Sequence, residues 1–174
     1  MKKIWILAAA AAFMMTATAC GAGDVGGASS GASSSQASSS SSGPTVAQSS
    51  VEDSLKGLEK YLTGNGVLSG DAAEMRADVI GAKAGGRYQF SYNGKNNVTV
   101  ELYEFDPSGL NGAAKQVLDS VKSSGQFTLM GQKITAVLSD SGKYLMIYQD
   151  TVAKDENKAY ADKVTKLFKE FKNS

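Results

Sequence analysis

Val98-Thr99-Val100-Glu101-Leu102-Tyr103-Glu104-Phe105 alternates along its length. In an extended chain Val98, Val100 and Leu102 fall on one side, with Tyr103 and Phe105 on the other, because successive strand side chains point to opposite faces. Upstream, Arg87 to Tyr92 alternates as well, placing Tyr88, Phe90 and Tyr92 on one side. Asn93-Gly94 between the two runs is a turn dipeptide, so together they predict a β-hairpin with a loop of about five residues. An antiparallel pair in mid-chain sets the expected fold class, and the flanking segments must supply its cover.

Downstream, Asp106-Pro107-Ser108-Gly109 stops the strand, and a helix is expected from about Asn111. Leu110, Ala114, Val117, Leu118 and Val121 then share a face, and Gly125 lies past the helix end. Gln126 to Met130, a turn at Gly131-Gln132 and Lys133 to Leu138 predict a second hairpin, and Ser139-Asp140-Ser141-Gly142 turns the chain into a further strand over Lys143 to Gln149. The last helix, Lys154 to Lys172, carries Tyr160, Val164, Leu167, Phe168 and Phe171 on one stripe.

Upstream, Val51, Leu55, Leu58 and Leu62 recur at helical spacing, with Ser49/Glu52 or Ser50/Asp53 as a capping box and Gly64 as the stop. Residues 65–86 carry weaker signals: a helical turn from Asp71 to Met75, buried Val79 and Ile80, and a loop marked by Gly81, Gly85 and Gly86. The expected order is helix-ββ-helix-βββ-helix. That is an α+β domain over 51–174, an antiparallel sheet of about four to five strands with three helices packed on it.

The chain begins differently. Lys2 and Lys3 precede an unbroken apolar run from Ile4 to Met15, and small residues follow up to Cys20, the only cysteine. This is the layout of a secretory signal, too short for a stable membrane span. Ala17-Thr18-Ala19-Cys20-Gly21 resembles the lipobox of bacterial lipoproteins, with Ala17 where that family most often has Leu. The resemblance implies removal of residues 1–19 as signal peptide, diacylglycerol and palmitate on Cys20, and a protein lipid-anchored on the extracytoplasmic face of a Gram-positive-like membrane. The globular part is similar to small domains carried by lipoproteins of Gram-positive bacteria. It shares stretches such as Asp78-Val79-Ile80-Gly81-Ala82 and Val100-Glu101-Leu102-Tyr103-Glu104-Phe105-Asp106. That likeness implies a compartment and no activity.

Residues 21–50 are almost wholly Gly, Ala and Ser. Such composition cannot bury enough apolar surface to offset backbone entropy, so 20–50 is expected to be a disordered linker behind the lipidated cysteine. About thirty residues of such coil reach on the order of 30 Å. Gly21-Ala22-Gly23-Asp24-Val25-Gly26 matches the dinucleotide-binding G-x-G-x-x-G pattern by letter. That motif needs a strand before it and a helix after it, and has neither here.

Composition excludes several chemistries. The 174 residues include 18 Lys+Arg and 17 Asp+Glu; without Lys2 and Lys3 the balance is 16 against 17. A near-neutral chain offers no electrostatic footprint for nucleic acid. There is no histidine, and no cysteine after Cys20, which removes a Cys/His zinc site, a structural disulfide and a histidine-based triad. No S-x-x-K motif and no phosphate loop occurs. Neither a metal nor another cofactor is expected. Glu101 lies on the face opposite Glu104, which shares a side with Asp106; these carboxylates are expected as solvated edge charges, with a cation or ligand site as the alternative.

The aromatic rows offer a candidate binding face. Leu145 and Ile147 alternate with Tyr144, Met146 and Tyr148. If the helices cover the aliphatic side, then Tyr88, Tyr92, Tyr103, Phe105, Tyr144 and Tyr148 lie on the reverse face, where tyrosine suits a half-wet surface; the competing expectation is that this face is also covered and forms a second core. The expected function is a non-enzymatic binding or interaction module of the cell envelope, anchored through Cys20, with an envelope protein, wall glycan or small molecule as partner. Two alternatives stand beside it: a carboxylate-dependent envelope enzyme acting on wall material, and a structural envelope component.

Overall fold

The structure, a computed structural model, describes residues 45–173. Signal segment 1–19, Cys20 and linker residues 21–44 lie outside the described residues. Three helices, α1 (Leu55–Gly64), α2 (Gly112–Ser124) and α3 (Asp155–Glu170), accompany seven strands. The strands are β1 (Ala73–Glu74), β2 (Ala84–Phe90), β3 (Val98–Glu104), β4 (Gln126–Leu129), β5 (Gln132–Thr135), β6 (Val137–Leu138) and β7 (Tyr144–Asp150). Five of them form one sheet in the order β1-β2-β3-β7-β6, and β4-β5 is a separate two-stranded sheet. Every pairing is antiparallel. The fold is α+β.

Local chemistry accounts for the helix ends. The Ser54 hydroxyl accepts from the Gly57 N–H at 3.1 Å and caps α1. The helix therefore starts four residues after Val51, and neither Ser49/Glu52 nor Ser50/Asp53 forms the capping box. Asn111 caps α2 by accepting from the Ala114 N–H at 2.9 Å. At the other end Gly125 takes the left-handed conformation (φ 69°) that glycine tolerates best, and its N–H reaches the Val121 carbonyl.

Register decides which side chains meet. Val100 lies opposite Tyr88 on one neighbour and Tyr148 on the other. Tyr103 lies opposite Leu145, and Glu104 opposite Tyr144. Residues directly opposite share a face. One face therefore mixes Tyr88, Val98, Val100, Leu102, Tyr144 and Met146, and packs on Leu58, Leu62, Val164 and Phe168 of α1 and α3. The other face brings Tyr103, Leu145 and Ile147 onto Ala114, Val117 and Val121 of α2 and Phe127 of β4.

This arrangement corrects the expected open aromatic face. Tyr88, Tyr103, Phe105 and Tyr144 are buried, and Tyr92 and Tyr148 are half-buried. The strand alternation is as expected, but aromatic rows of one strand lie across from aliphatic rows of the next. The helices also divide, two on one face and one on the other with the β4–β5 hairpin. Both faces are core.

Three smaller differences follow from the same packing. Residues 65–86 supply strand β1, a 3-10 turn at Ala77–Ile80 and the start of β2. The expected second hairpin breaks at Ala136, whose buried N–H bonds the Gly125 carbonyl, so β6 leaves β5 and joins the main sheet. The packed chain also begins before residue 51. Val46 packs against Gly64, where a Cβ would collide with the valine side chain. Asn65 Nδ2 donates to the Val46 carbonyl, and Gln48 Oε1 accepts from the Lys172 N–H at 2.7 Å.

Candidate functional site

A cleft of about 870 Å³ opens where the short strand β1 covers only two residues of β2. Its inner wall is Glu52, Ser54 and the first half of α1, from Leu55 to Glu59. Its outer wall is the strap from Ala72 to Asp78, and its floor runs from Ala82 to Gly86 with Glu104 at the end.

Gly85 and Gly86 of the floor admit close neighbours on opposite faces of β2. A Cβ on Gly86 would collide with the Glu59 carboxylate, and one on Gly85 would lie 2.9 Å from the Tyr103 ring. Strand interiors ordinarily avoid glycine, and a pair of them marks a close approach by another group. Here the approaching groups are Glu59 from α1 and the Tyr103 ring from β3.

Glu104 is only 4 % exposed. Its Oε2 accepts from the Leu55 N–H at 2.8 Å, and its Oε1 lies 3.3 Å from Lys83 Nζ and 3.5 Å from Lys143 Nζ. A carboxylate at a helix N-terminus meets both free N–H groups and the positive end of the helix dipole. The expectation of solvated edge charges fails for Glu104, because α1 begins directly over the end of β3. Glu101 does face the opposite way, pairing with Arg87 at 3.5 Å and accepting from the Tyr103 hydroxyl. Asp106 is exposed and accepts from the Ser108 backbone and hydroxyl, which pulls its pKa down.

Lys143 also approaches Asp53 at 3.2 Å, and the Tyr144 hydroxyl donates to Asp53 at 2.6 Å. Burial pulls the Asp53 pKa upward, but these two partners outweigh it and leave the carboxyl below its ordinary value. The Ser139 hydroxyl accepts from the Tyr144 N–H and meets Ser141 in the turn before β7.

Glu59 differs from Glu104. It is half-buried, and no side-chain or backbone donor bonds its carboxylate among the described residues. Burial pushes its pKa up, against a smaller downward pull from Lys56. The sequence holds a signal for this residue. Glu59 stands four residues after Leu55, inside the apolar stripe of Leu55, Leu58 and Leu62.

The six aromatic residues singled out from the sequence do not gather into a site. Tyr92 stacks on Tyr160 with centroids 3.9 Å apart, and Tyr88, Tyr144 and Tyr148 join the α1/α3 core. Tyr103 and Phe105 join the α2 core. Burial raises the hydroxyl pKa of Tyr88 to about 12, and that of Tyr103, Tyr144 and Tyr148 further.

No protein-family model, curated protein or solved structure matches this chain. Among the described residues, no helix is long and apolar enough to cross a membrane.

Proposed function

We propose that the protein is a membrane-tethered, non-enzymatic binding module of the cell envelope, and that its ligand seats in the cleft between α1 and β2. The anchor is a lipid on Cys20, as the lipobox resemblance implies, and the serine-rich linker is the tether. The observation that carries the site is the cleft with the Glu59 carboxylate seated against Gly86 inside it. It is lined by charged groups in a domain whose sheet faces are otherwise covered by helices and a hairpin.

The start of the described chain is compatible with the same reading. The described chain starts beside Gly64 and Lys172, at the C-terminal end of α1. The cleft lies along the N-terminal half of that helix. Residues 45–48 therefore lie away from the cleft.

A carboxylate-dependent envelope enzyme is the second reading, because Glu59 and Glu104 both line the cleft. Glycoside chemistry uses two carboxyl groups flanking the scissile bond. Both oxygens of Glu104 are already engaged, by Leu55 and by the two lysines, so of that pair only Glu59 is free to act. That favours binding over hydrolysis.

The test is capture of envelope components by the tethered protein, compared with Ala72→Trp. Ala72 is exposed on the cleft wall, so the indole fills the cleft at little cost to the core. Capture lost in Ala72→Trp supports the cleft; capture equal to wild type removes it.

A further inference from the structure

We propose that the cleft takes an aliphatic ammonium group, held by the Glu59 carboxylate that lies against Gly86. This rests on the cleft being the binding site, and adds the chemistry of what it binds.

Charge pairing within the walls leads to this choice. Arg76 is committed to Asp78 at 2.8 Å, and Lys83 to Glu104 at 3.3 Å. Among the described residues this leaves Glu52, Glu59 and Glu74 lining the cleft against one uncommitted base, Lys56. An anion entering would meet surplus carboxylate. A cation would find Glu59 already partly stripped of water, so the cost of desolvating that group has been met before it arrives.

Shape and wall chemistry narrow the cation. Calcium takes six to eight oxygen ligands, whereas the depth of this cleft presents Glu59 with its partners Glu52 and Glu74 out on the exposed rim. An ammonium has three donors and is satisfied by a carboxylate and two further acceptors. Leu55, Met75, Ala77 and Ala82 supply apolar wall for an alkyl body. The volume, about 870 Å³, lies within the range of sites that enclose small organic molecules.

The ammonium could belong to a free alkyl amine or to a lysine side chain of a peptide, and the test separates the two. The purified full chain in non-ionic micelles is titrated calorimetrically with cadaverine, with Nα-acetyl-lysine amide, and with glutarate as an anionic counterpart. At least one amine binds and glutarate does not; the tighter amine identifies the source. Glu59→Gln keeps the shape and removes the charge, and weakens amine binding about tenfold or more. Lys56→Gln removes the competing base and tightens it, which a misfolded variant cannot do. Absence of binding by both amines overturns the proposal, as does Glu59→Gln binding like wild type. If both amines fail while Ala72→Trp still abolishes envelope capture, the ammonium assignment falls and the cleft stands. If amine binding survives in Ala72→Trp, the cleft is not its seat.

Discussion

The side chain of Glu104 caps helix α1 from 49 residues away, its Oε2 accepting from the Leu55 N–H at 2.8 Å. One contact thus joins the end of the central strand β3 to the start of the helix that walls the cleft. The two lysines on its other oxygen, Lys83 and Lys143, come from the entrances to β2 and β7.

Removing that carboxylate leaves a helix N–H and two lysines without their shared partner. Glu104→Ala is expected to lose about 3 kcal/mol, and Glu104→Gln, which keeps an acceptor, markedly less. Urea unfolding followed by far-UV circular dichroism measures both. Equal losses would mean that packing, and not charge, governs the position.

Tyr144 and Tyr148 stand four residues apart on one face of β7, but their hydroxyls differ. Tyr144 donates to Asp53, whereas the buried Tyr148 hydroxyl has no partner among the described residues. Tyr144→Phe should cost about 1 kcal/mol, while Tyr148→Phe should be neutral or slightly stabilising. Thermal midpoints of the two variants provide the comparison.

Strand alternation, both long helices with their apolar stripes, and the α+β class were all legible in the sequence, because each depends on neighbours within a few residues. The face assignment was not. Whether Tyr148 sits with Val100 or behind it depends on register between strands nearly 50 residues apart, and alternation within a strand carries no such information. Glu104 was misread for the same reason, since its partners lie on three other segments. The cleft was partly legible: Glu59 interrupts an apolar stripe, and Gly85-Gly86 sits in what proves to be a strand interior. The two-residue strand β1 gives too short a pattern to read.

Burial raises the Glu59 pKa in the folded protein. A carboxyl raised in this way weakens the fold once it ionises, so the penalty is absent below the unfolded value and complete above the folded one. Glu59→Gln should therefore raise the melting temperature at pH 7. That gain should shrink as pH falls towards about 4, where unfolded glutamates protonate. A gain that persists unchanged at pH 3 would contradict a charge origin.

Val46 fills the space above Gly64, and Gln48 ties the entry segment to Lys172. A chain beginning at residue 45 should melt like the longer protein, whereas one beginning at residue 51 should melt several degrees lower. About 1 kcal/mol moves a domain of this size by roughly 4 °C. Identical midpoints would show that residues 46–50 add nothing to the fold.

The central claim, that ligand meets the cleft, is tested most directly by a photo-crosslinking residue placed in living cells at two exposed positions. Position 72 lies on the cleft wall. Position 130, 90 % exposed at the tip of the β4–β5 hairpin, lies on the other side of the sheet. Mass spectrometry of the irradiated protein should find an envelope-derived adduct at 72 and none at 130. An adduct at 130 with none at 72 would contradict the account.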